Sequence, residues 1–249
     1  MIKVSACLIT LNEGGNLARA LRSLRGIADE MVVADCGSTD GTLEIARESG
    51  AKVYARAWSN YADQKNFAAD RATHDWILSL DADEVLSPEL RTSLLEWKQG
   101  NPGFEVYEFA RRAHYLGAWI SHSGWYPDRQ RRLYRRNAAS FFGIIHESLQ
   151  YKGKIGRLAG DILHYTIDSF SEHKDKVENY STLAARQLLE SGKQNWRTGM
   201  WLAAPWAGIR SYILRGGFLD GYRGLLISIM ASRTVWLKYR KLGRLLELP

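Results

Sequence analysis

Cysteine is scarce in this sequence of 249 residues, and it contains no long hydrophobic run. The two cysteines, Cys7 and Cys36, lie in or just after segments that read as buried strands, whereas a secreted disulfide scaffold would have more of them. We therefore expect both to be reduced. No run approaches the roughly 18 to 20 apolar residues that a membrane-spanning helix needs. The residues after Met1 enter a strand at once, so we expect no signal peptide and predict a cytoplasmic protein.

Acidic residues are scarce towards the C-terminus. From Trp206 onward, eight Lys and Arg residues face only Asp220 and Glu247, which gives this tail +6 of the net charge of +7. Trp and Tyr are interleaved with these charges, and a second basic cluster runs from Arg129 to Arg136. Such clusters favour anionic partners. Nucleic acid is not expected, because no recognised binding module accompanies them.

The basic, aromatic tail has two interpretations. A helix with one apolar and one basic face lies in a membrane interface, so peripheral membrane contact is one of them. The other is a helical appendage that packs on the rest of the chain or on a second subunit, with its basic face in solvent. The sequence does not determine the oligomeric state.

Strand-like and helix-like segments alternate over the first hundred residues. The predicted strands are 3–10, 30–35, 52–55 and 76–81, and the predicted helices between and after them are 17–24, 42–49, 61–71 and 88–99. This alternation predicts an α/β fold with a mostly parallel, doubly wound sheet. Further strands are expected at 104–111, 130–135 and 161–165. Ser169 and Glu172 then form a capping box at the start of a long helix.

The strand at 76–81 is followed by three carboxylates, Asp81, Asp83 and Glu84. In open α/β sheets, ligands bind beyond the carboxyl ends of the strands. Asp-x-Asp at that position offers hard oxygen ligands to a divalent cation that could hold a phosphorylated ligand. A solvated acidic turn is the alternative.

Polar loops also follow the first two strands, at 10–13 and 35–41. Three such loops on one sheet edge describe a nucleotide crevice. A dinucleotide-binding fold would show Gly-x-Gly-x-x-Gly after the first strand, and a P-loop would show Gly-Lys-Ser/Thr. Neither motif is present, so both of these nucleotide sites are excluded.

The sequence resembles family 2 glycosyltransferases in four motifs: Ile-Thr-Leu-Asn-Glu (9–13), Val-Ala-Asp-Cys-Gly-Ser-Thr-Asp-Gly-Thr (33–42), Gln-Lys-Asn (64–66) and Leu-Asp-Ala-Asp-Glu (80–84). Residues 125–136, 145–147 and 216–221 resemble the bacterial branch that includes the lipopolysaccharide core β-1,4-glucosyltransferases. The resemblance implies a GT-A-type (nucleotide-diphospho-sugar transferase) catalytic domain over residues 1–165, followed by a helical region over 166–249. It also implies metal-dependent, inverting transfer from a nucleotide sugar, with UDP-glucose the expected donor, to a lipid-linked cell-envelope glycan.

The resemblance further implies roles for individual residues. Asp35 would hydrogen-bond the base, Lys65 would lie near the nucleotide, and Asp81 would face the ribose or the metal. Asp83 would bind Mg²⁺ or Mn²⁺ that bridges the donor diphosphate. His164 would complete the metal shell, unless it is an ordinary core histidine. The implied nucleotide-sugar site comprises Thr10, Asn12, Glu13, Asp35, Asp40, Lys65, Asp81 and Ala82.

Glu147 is the candidate general base, because an inverting transfer needs a carboxylate that takes the proton of the acceptor hydroxyl. A surface acid that caps a helix is the alternative. Asp128 is the competing base, although the arginines beside it are expected to lower its pKa. Trp125, Arg132 and Arg135 are predicted to clamp the acceptor or a phosphate, since Arg binds such groups bidentately. A solvated basic strand is the plainer interpretation.

Other functions stay open at this point. Within the enzyme class, the acceptor could instead be a polyprenyl phosphate or a protein. From another class, a non-catalytic protein could bind nucleotide sugars or glycans, although three acidic motifs argue against it. A nucleotidyltransferase would need a glycine-rich basic N-terminal loop that is missing. For a transferase with a lipid-linked acceptor, the expected location is the cytoplasmic face of the inner membrane.

Overall fold

The computed structural model describes residues 1–143 and 147–247. The chain forms two compact units, and the sequence crosses between them more than once. Unit 1 comprises Met1–Arg111 and Asp128–Tyr165. Unit 2 comprises Arg112–Pro127 and the chain from Thr166 onward. Each unit is described in turn.

Unit 1 is built on a mixed sheet in the order β3-β2-β1-β4-β8-β6-β11-β5. The first four strands in this order are parallel, as the alternation predicts, and helices connect them along the chain. The pairs β4–β8, β6–β8 and β5–β11 are antiparallel. The strands are β1 Val4–Thr10, β2 Glu30–Asp35, β3 Lys52–Ala55, β4 Trp76–Asp81, β5 Glu84–Leu86, β6 Val106–Tyr115, β8 Asp128–Arg135 and β11 Ile155–Ile167.

Four helices accompany the parallel half of this sheet: α1 Gly14–Leu24, α2 Thr42–Glu48, α3 Tyr61–Asp70 and α4 Pro88–Gln99. Helix α1 buries its predicted apolar face completely, through Leu17, Ala20, Leu21 and Leu24. The predicted start of α4 is confirmed, because the Ser87 hydroxyl accepts the Leu90 N–H and Pro88 occupies the first turn. The buried residues of α1 and α4 share one hydrophobic core with residues of β1 and β4.

The bounds of three predicted strands differ from the structure. The strand predicted at 104–111 is Val106–Tyr115, and the strand predicted at 130–135 is Asp128–Arg135. Strand β11 extends well beyond the predicted 161–165 at both ends. Phe141 and Phe142 lie in a strand that the sequence did not predict, β9 (Ala139–Phe142), which pairs with β10 (Ser148–Tyr151). Phe141 is buried edge-on against Tyr134, a tertiary contact that local sequence does not reveal.

Unit 2 contains β7 (Ala118–Trp119), the long helix α5 (Phe170–Glu190) and a C-terminal helical hairpin. The predicted cap of α5 is confirmed, because the Ser169 hydroxyl accepts the Glu172 N–H. Helix α5 packs on α8. The first arm of the hairpin comprises α6 (Trp196–Thr198), a π-helical turn (Gly199–Ala203), α7 (Ala204–Ile209) and a second π-helical turn (Arg210–Leu214). A 3₁₀ turn (Gly217–Asp220) leads into the second arm, α8 (Gly221–Glu247).

The segment 112–127 is held within unit 2 by the bend of this hairpin. Asp220 accepts the backbone N–H groups of Ser121 and His122 at 3.2 and 3.0 Å. The Ser123 N–H donates to the Arg215 carbonyl at 2.9 Å. Among the described residues, no helix is long and apolar enough to cross a membrane.

Candidate active site

The ends of β1 and β2 are joined through Thr10 and Asp35, which lie opposite each other in the sheet register. The Thr10 hydroxyl donates to Asp35 Oδ2 at 2.9 Å, and Asp35 also accepts the N–H groups of Gly37 and Ser38. Burial raises the pKa of Asp35, but the hydrogen bonds from the Ser38 hydroxyl and from these N–H groups lower it by more. The pKa of Asp35 therefore lies below its ordinary value. Asp35 therefore stays ionised and shapes its own loop.

Asn12 and Asp40 tie the first two loops together. The Asn12 N–H donates to the Ser38 hydroxyl at 2.8 Å, and Asn12 Oδ1 accepts the Thr39 N–H at 2.9 Å. Asn12 has a φ of 55°, a left-handed conformation that asparagine adopts more readily than most residues. Asp40 accepts the Gly14 N–H at 3.2 Å, at the start of α1. A hydrogen bond from the Thr42 hydroxyl is the largest cause of the lowered pKa of Asp40.

These bonds assemble five of the predicted nucleotide-site residues at one edge of the sheet. The Glu13 N–H completes the set by donating to the Thr42 hydroxyl at 2.9 Å. The backbone there is consequently fixed by side chains of the two loops themselves. The five residues are Thr10, Asn12, Glu13, Asp35 and Asp40.

Asp81 ends β4 between two cations. Lys65 Nζ lies 2.9 Å from Asp81 Oδ1, and the Arg132 guanidinium lies 2.6 Å from Oδ2. Burial raises the pKa of Asp81, but the charges of Arg132 and Lys65 outweigh it and hold the pKa well below its usual range. Both Lys65 and Arg132 are themselves buried. The ammonium of Lys65 also contacts Glu147 Oε1 at 2.9 Å.

Glu84 holds the other side of Arg132. Its side chain is completely buried, and Oε1 lies 2.7 Å from Arg132 and 3.1 Å from Arg111. The guanidinium of Arg111 reaches Asp128 Oδ2 at 2.6 Å. Burial lowers the pKa of Arg111 and Arg132, but the carboxylates beside them raise it by more, so both remain charged.

The two candidate bases thus lie at opposite ends of one chain of alternating charges. This ion-pair chain runs through Glu147, Lys65, Asp81, Arg132, Glu84, Arg111 and Asp128. These pairs join four carboxylates to three cationic side chains. A chain of this kind fixes the positions of its members, because removal of one leaves a neighbour buried without its partner.

Asp83 and His164 form a separate pair, with 3.0 Å between Oδ2 and Nε2. The antiparallel pairing of β5 and β11 sets His164 opposite Glu84, and the Tyr165 N–H donates to the Asp83 carbonyl at 3.0 Å. Both side chains are partly exposed. In the described part of the chain, no three His, Cys, Asp or Glu side chains are placed to hold a metal ion together. A carboxylate and an imidazole nevertheless fit a Mg²⁺ or Mn²⁺ ion whose remaining ligands are phosphate oxygens and water.

Three other predicted site residues do not belong to the ion-pair chain. Arg135 pairs in register with Trp76, at the opposite end of β4 from Asp81, which is about 16 Å along the strand. It is 52% exposed and pairs with Glu105 at 3.4 Å. Trp125 belongs to unit 2, where it packs edge-on against Tyr115. Ala82 is buried in the core. Ile145 and His146 of the resemblance lie outside the described residues.

Arg111 is the site residue that the sequence analysis missed. It contacts two acidic residues of the ion-pair chain but lies in the middle of β6, with no motif around it. Its partner Asp128 is opposite it in the β6–β8 register. Strand pairing across that distance in sequence is the only signal that would have found it.

Comparison with known proteins agrees with this geometry. The sequence model of Glycosyl transferase family 2 matches residues 5–155, which contain the two loops and the whole ion-pair chain. The chain belongs to glycosyltransferase family 2. As a family member it is a glycosyltransferase, and the parallel half-sheet with acidic strand ends is its GT-A-type core.

Relatives of this family 2 glycosyltransferase match it over nearly its whole length. A glycosyltransferase of Rickettsia typhi is 32% identical over 98% of this chain and 88% of its own length. The lipopolysaccharide core biosynthesis glycosyltransferase LpsC of Rhizobium meliloti is 28% identical over 96% of this chain and 93% of its own. Glucosyl-3-phosphoglycerate synthase from Mycobacterium tuberculosis, with Mn²⁺ and UDP, is 22% identical and covers 47% of this chain and 45% of its own. Its TM-score of 0.37 is too low to bear on substrate or metal.

Proposed function

We propose that this glycosyltransferase transfers a sugar from a nucleotide diphosphate, with UDP-glucose as the first candidate donor, to a lipid-linked lipopolysaccharide core glycan. The observation that carries the proposal is that the two aspartates of the Asp-x-Asp segment have different contacts. Asp81 is fully engaged by two buried cations, whereas Asp83 keeps Oδ1 without a hydrogen bond from any described residue. One aspartate is thus structural to the site, and the other is available to a ligand.

The nucleoside end of the donor would lie over the first two loops. The carboxylate of Asp35 and the amide of Asn12 stand there at the carboxyl ends of parallel strands. Asp35 holds the turn through Ser38 rather than projecting freely, so its contact with a base would be made from a position already fixed. Such preorganisation lowers the ordering cost of binding.

Asp83 and His164 would hold the divalent ion between the protein and the donor diphosphate. When bound, the ion supplies charge that stabilises the departing nucleoside diphosphate. Backbone pairing of β5 with β11 brings the two side chains to within 3.0 Å of each other. The pair is therefore set by the fold and needs no rearrangement of the core.

Glu147 would take the proton of the acceptor hydroxyl as that oxygen attacks the anomeric carbon. Its Oε1 is held by Lys65 at 2.9 Å, so Oε2 is the oxygen left to accept the proton. Attack from the face opposite the leaving group inverts the anomeric configuration. Asp128 is the less favoured base, because one of its oxygens is held by two nitrogens of Arg111 and the other accepts from Gln130.

The acceptor is inferred from the relative in Rhizobium meliloti, whose name places it in lipopolysaccharide core biosynthesis. Its alignment extends through the C-terminal residues, beyond the segment that the family model matches. An acceptor of this kind is anchored in a membrane, which fits action at the cytoplasmic face. Membrane contact is argued separately below.

A nucleotide-sugar screen followed by a transfer assay tests the proposal. The thermal midpoint of the full chain is measured with UDP-glucose, UDP-galactose and GDP-mannose, with and without Mn²⁺. Ligands that bind the native state raise this midpoint. We expect the largest rise with UDP-glucose and Mn²⁺ together, and then transfer of radiolabelled glucose to a truncated core glycan. If glucose is transferred only to polyprenyl phosphate or only to protein, the proposed core-glycan acceptor is wrong. If the donor binds but is neither hydrolysed nor transferred, the chain is a non-catalytic binding protein.

A further inference from the structure

The C-terminal hairpin of unit 2 has small residues at the seam between its arms. A Cβ added at Gly208 would lie 3.3 Å from the Ser228 carbonyl, and one added at Gly199 would overlap the Tyr239 ring. The Ser228 hydroxyl donates to the Ser211 hydroxyl across the seam at 3.0 Å. The backbones of the two antiparallel arms therefore approach closely around Gly208 and Ser228.

Large apolar side chains instead point outward from both arms. They recur with steps of four, three and four residues in the first arm and of three and four residues in the second, the spacing of a single side of a helix. Their exposed fractions run from 44% for Leu225 to 68% for Leu202. In a helix on the surface of a globular protein, residues of this kind normally face the core. We call these two sets the apolar stripes: Leu202, Trp206, Ile209 and Ile213 in the first arm, and Tyr222, Leu225 and Ile229 in the second, with Phe218 in the 3₁₀ turn just before it.

The solvent-exposed charges around the apolar stripes are positive. From residue 199 to 232 the only acid is Asp220, whose side chain is 6% exposed and bound to His122 at 3.0 Å. Arg210 and Arg215 are the exposed charges in that span. Further basic residues lie at the start of the first arm and along α8 from its middle onward: Lys193, Arg197, Arg233, Lys238, Arg240, Lys241 and Arg244.

Part of this basic charge is already used inside unit 2. Lys241 pairs with Glu178 at 2.7 Å, and the Arg223 guanidinium donates to the Leu116 carbonyl at 2.8 Å. Arg233 lies 3.9 Å from the same Glu178. The charge of +6 expected from the sequence is therefore not all available to a partner, and the apolar stripes are the larger accessible feature.

We infer that the apolar stripes insert into the interface of an anionic lipid bilayer, with the surrounding Arg and Lys side chains at the headgroups. Helices with an exposed apolar side and basic flanks bind there through the apolar area that they bury and through attraction to anionic lipid. A second copy of the chain could also cover apolar residues, but it would gain nothing from accessible charge of one sign. The bilayer uses both features, so it is the occupant that fits.

The inference deepens the proposed function by naming the surface at which a transferase would meet a lipid-linked acceptor. It also differs from a purely electrostatic attachment. Charges that face water are screened within about 8 Å at physiological ionic strength, whereas apolar insertion is not screened. Attachment through the apolar stripes should therefore weaken with salt but survive it.

Vesicle flotation of the full chain tests the inference. The probes are vesicles of phosphatidylethanolamine with phosphatidylglycerol, and vesicles of phosphatidylcholine alone, each at low and high salt. We expect flotation with the anionic vesicles that is reduced but retained at high salt. The double variant Ile213→Gln/Leu225→Gln should lower the partition coefficient by roughly tenfold or more, since each exposed aliphatic side chain contributes through its buried area.

Leu183→Gln is the matched control, because Leu183 is 47% exposed on α5, outside the apolar stripes. It should float like the unchanged protein, and thermal melting should show that all variants fold. Equal flotation of the double variant, complete loss of binding at high salt, or no flotation at all would overturn the inference. So would a wild-type dimer that the double variant converts to a monomer, since the stripes would then cover a second copy. Vesicle binding needs no turnover, so a failed transfer assay would leave this result standing.

Discussion

The Lys65 ammonium lies 2.9 Å from the Glu147 carboxylate, so the proposed general base is joined to the end of β4 before any donor arrives. Lys65 is buried, and it shares its charge between Glu147 and Asp81. Anything that alters the charge of Asp81 or Lys65 therefore acts on Glu147 as well. In the proposed mechanism, one ammonium group would therefore couple the donor-side and acceptor-side chemistry.

Glu147→Gln should abolish transfer while donor affinity is kept. A general base acts in the chemical step, and its loss costs on the order of 10²- to 10⁴-fold in rate. Gln keeps an oxygen that can accept the Lys65 hydrogen bond, so the site should stay assembled. The measurements are kcat with a core acceptor and the Kd for UDP-glucose by calorimetry. Asp128→Asn is the matched control, and the assignment is wrong if the loss of rate appears there instead.

Asp83→Ala should remove the dependence of donor binding on the divalent ion. Of Asp81 and Asp83, only Asp81 forms ion pairs with Lys65 and Arg132, whereas Asp83 contacts His164. Its loss should leave the fold intact, because it contributes no buried ion pair. Donor affinity is measured by calorimetry at several Mn²⁺ concentrations, with Asp75→Ala, at the start of β4 and 74% exposed, as the control. Metal-dependent binding equal to that of the unchanged protein would contradict the proposal.

Arg132→Ala should destabilise unit 1 by about 3 to 5 kcal/mol, because removal of one partner leaves buried carboxylates uncompensated. Glu84 would keep only Arg111, and Asp81 only Lys65. Arg135→Ala in the same strand should change stability by no more than about 0.5 kcal/mol, since Arg135 is exposed. Urea unfolding of the three proteins provides the comparison. Equal midpoints would mean that the ion-pair chain is not a stabilising element.

The stability contributed by Glu30 should disappear in acid. Glu30 is largely buried and accepts hydrogen bonds from Lys52, from the Ser5 hydroxyl and from Thr73. Burial raises its pKa, but these donors lower it by more, from an ordinary 4.5 to about 2. The folded state thus binds fewer protons than the unfolded chain, so this contribution is complete above the unfolded pKa and is lost as the pH falls towards 2.

Glu30→Gln should therefore lower the free energy of unfolding at neutral pH by on the order of 2 kcal/mol. The difference from the unchanged protein should shrink between about pH 5 and pH 3. Urea titrations across this range give both curves. Glu48→Gln, at an exposed position in α2, should follow the unchanged protein throughout. A difference that stays constant with pH would show that packing, and not the carboxylate charge, is responsible.

The sequence predicted the parallel half of the sheet well because its signals are local. Burial of the α1 stripe, the Ser87 cap and the Asp-x-Asp at the end of β4 are each readable within about a dozen residues. The antiparallel half depends on pairings between distant strands. His164 opposite Glu84 and Arg111 opposite Asp128 are examples, and no local pattern specifies either register.

The sequence also did not show that the residues of the apolar stripes are exposed. Helical spacing of Leu202, Trp206 and Ile213 is what a core-facing helix would show, and only the structure reveals which side the partner arm covers. The same holds for Lys65, whose motif placed it near the nucleotide. Its burial between two carboxylates comes from tertiary packing.

The bond between His122 and Asp220 spans 98 residues, and it has a consequence for the order in which the protein can be made. Segment 112–127 leaves the ribosome long before the hairpin bend that holds it, at a synthesis rate of about 5 to 20 residues per second. During those seconds its backbone donors await partners that do not yet exist. Strands β8 and β11, which unit 1 requires, are translated in the same interval. The nascent chain must therefore carry segment 112–127 without these contacts while residues 128–220 are made. A chain without the hairpin bend would leave the backbone N–H groups of Ser121, His122 and Ser123 bonded to water.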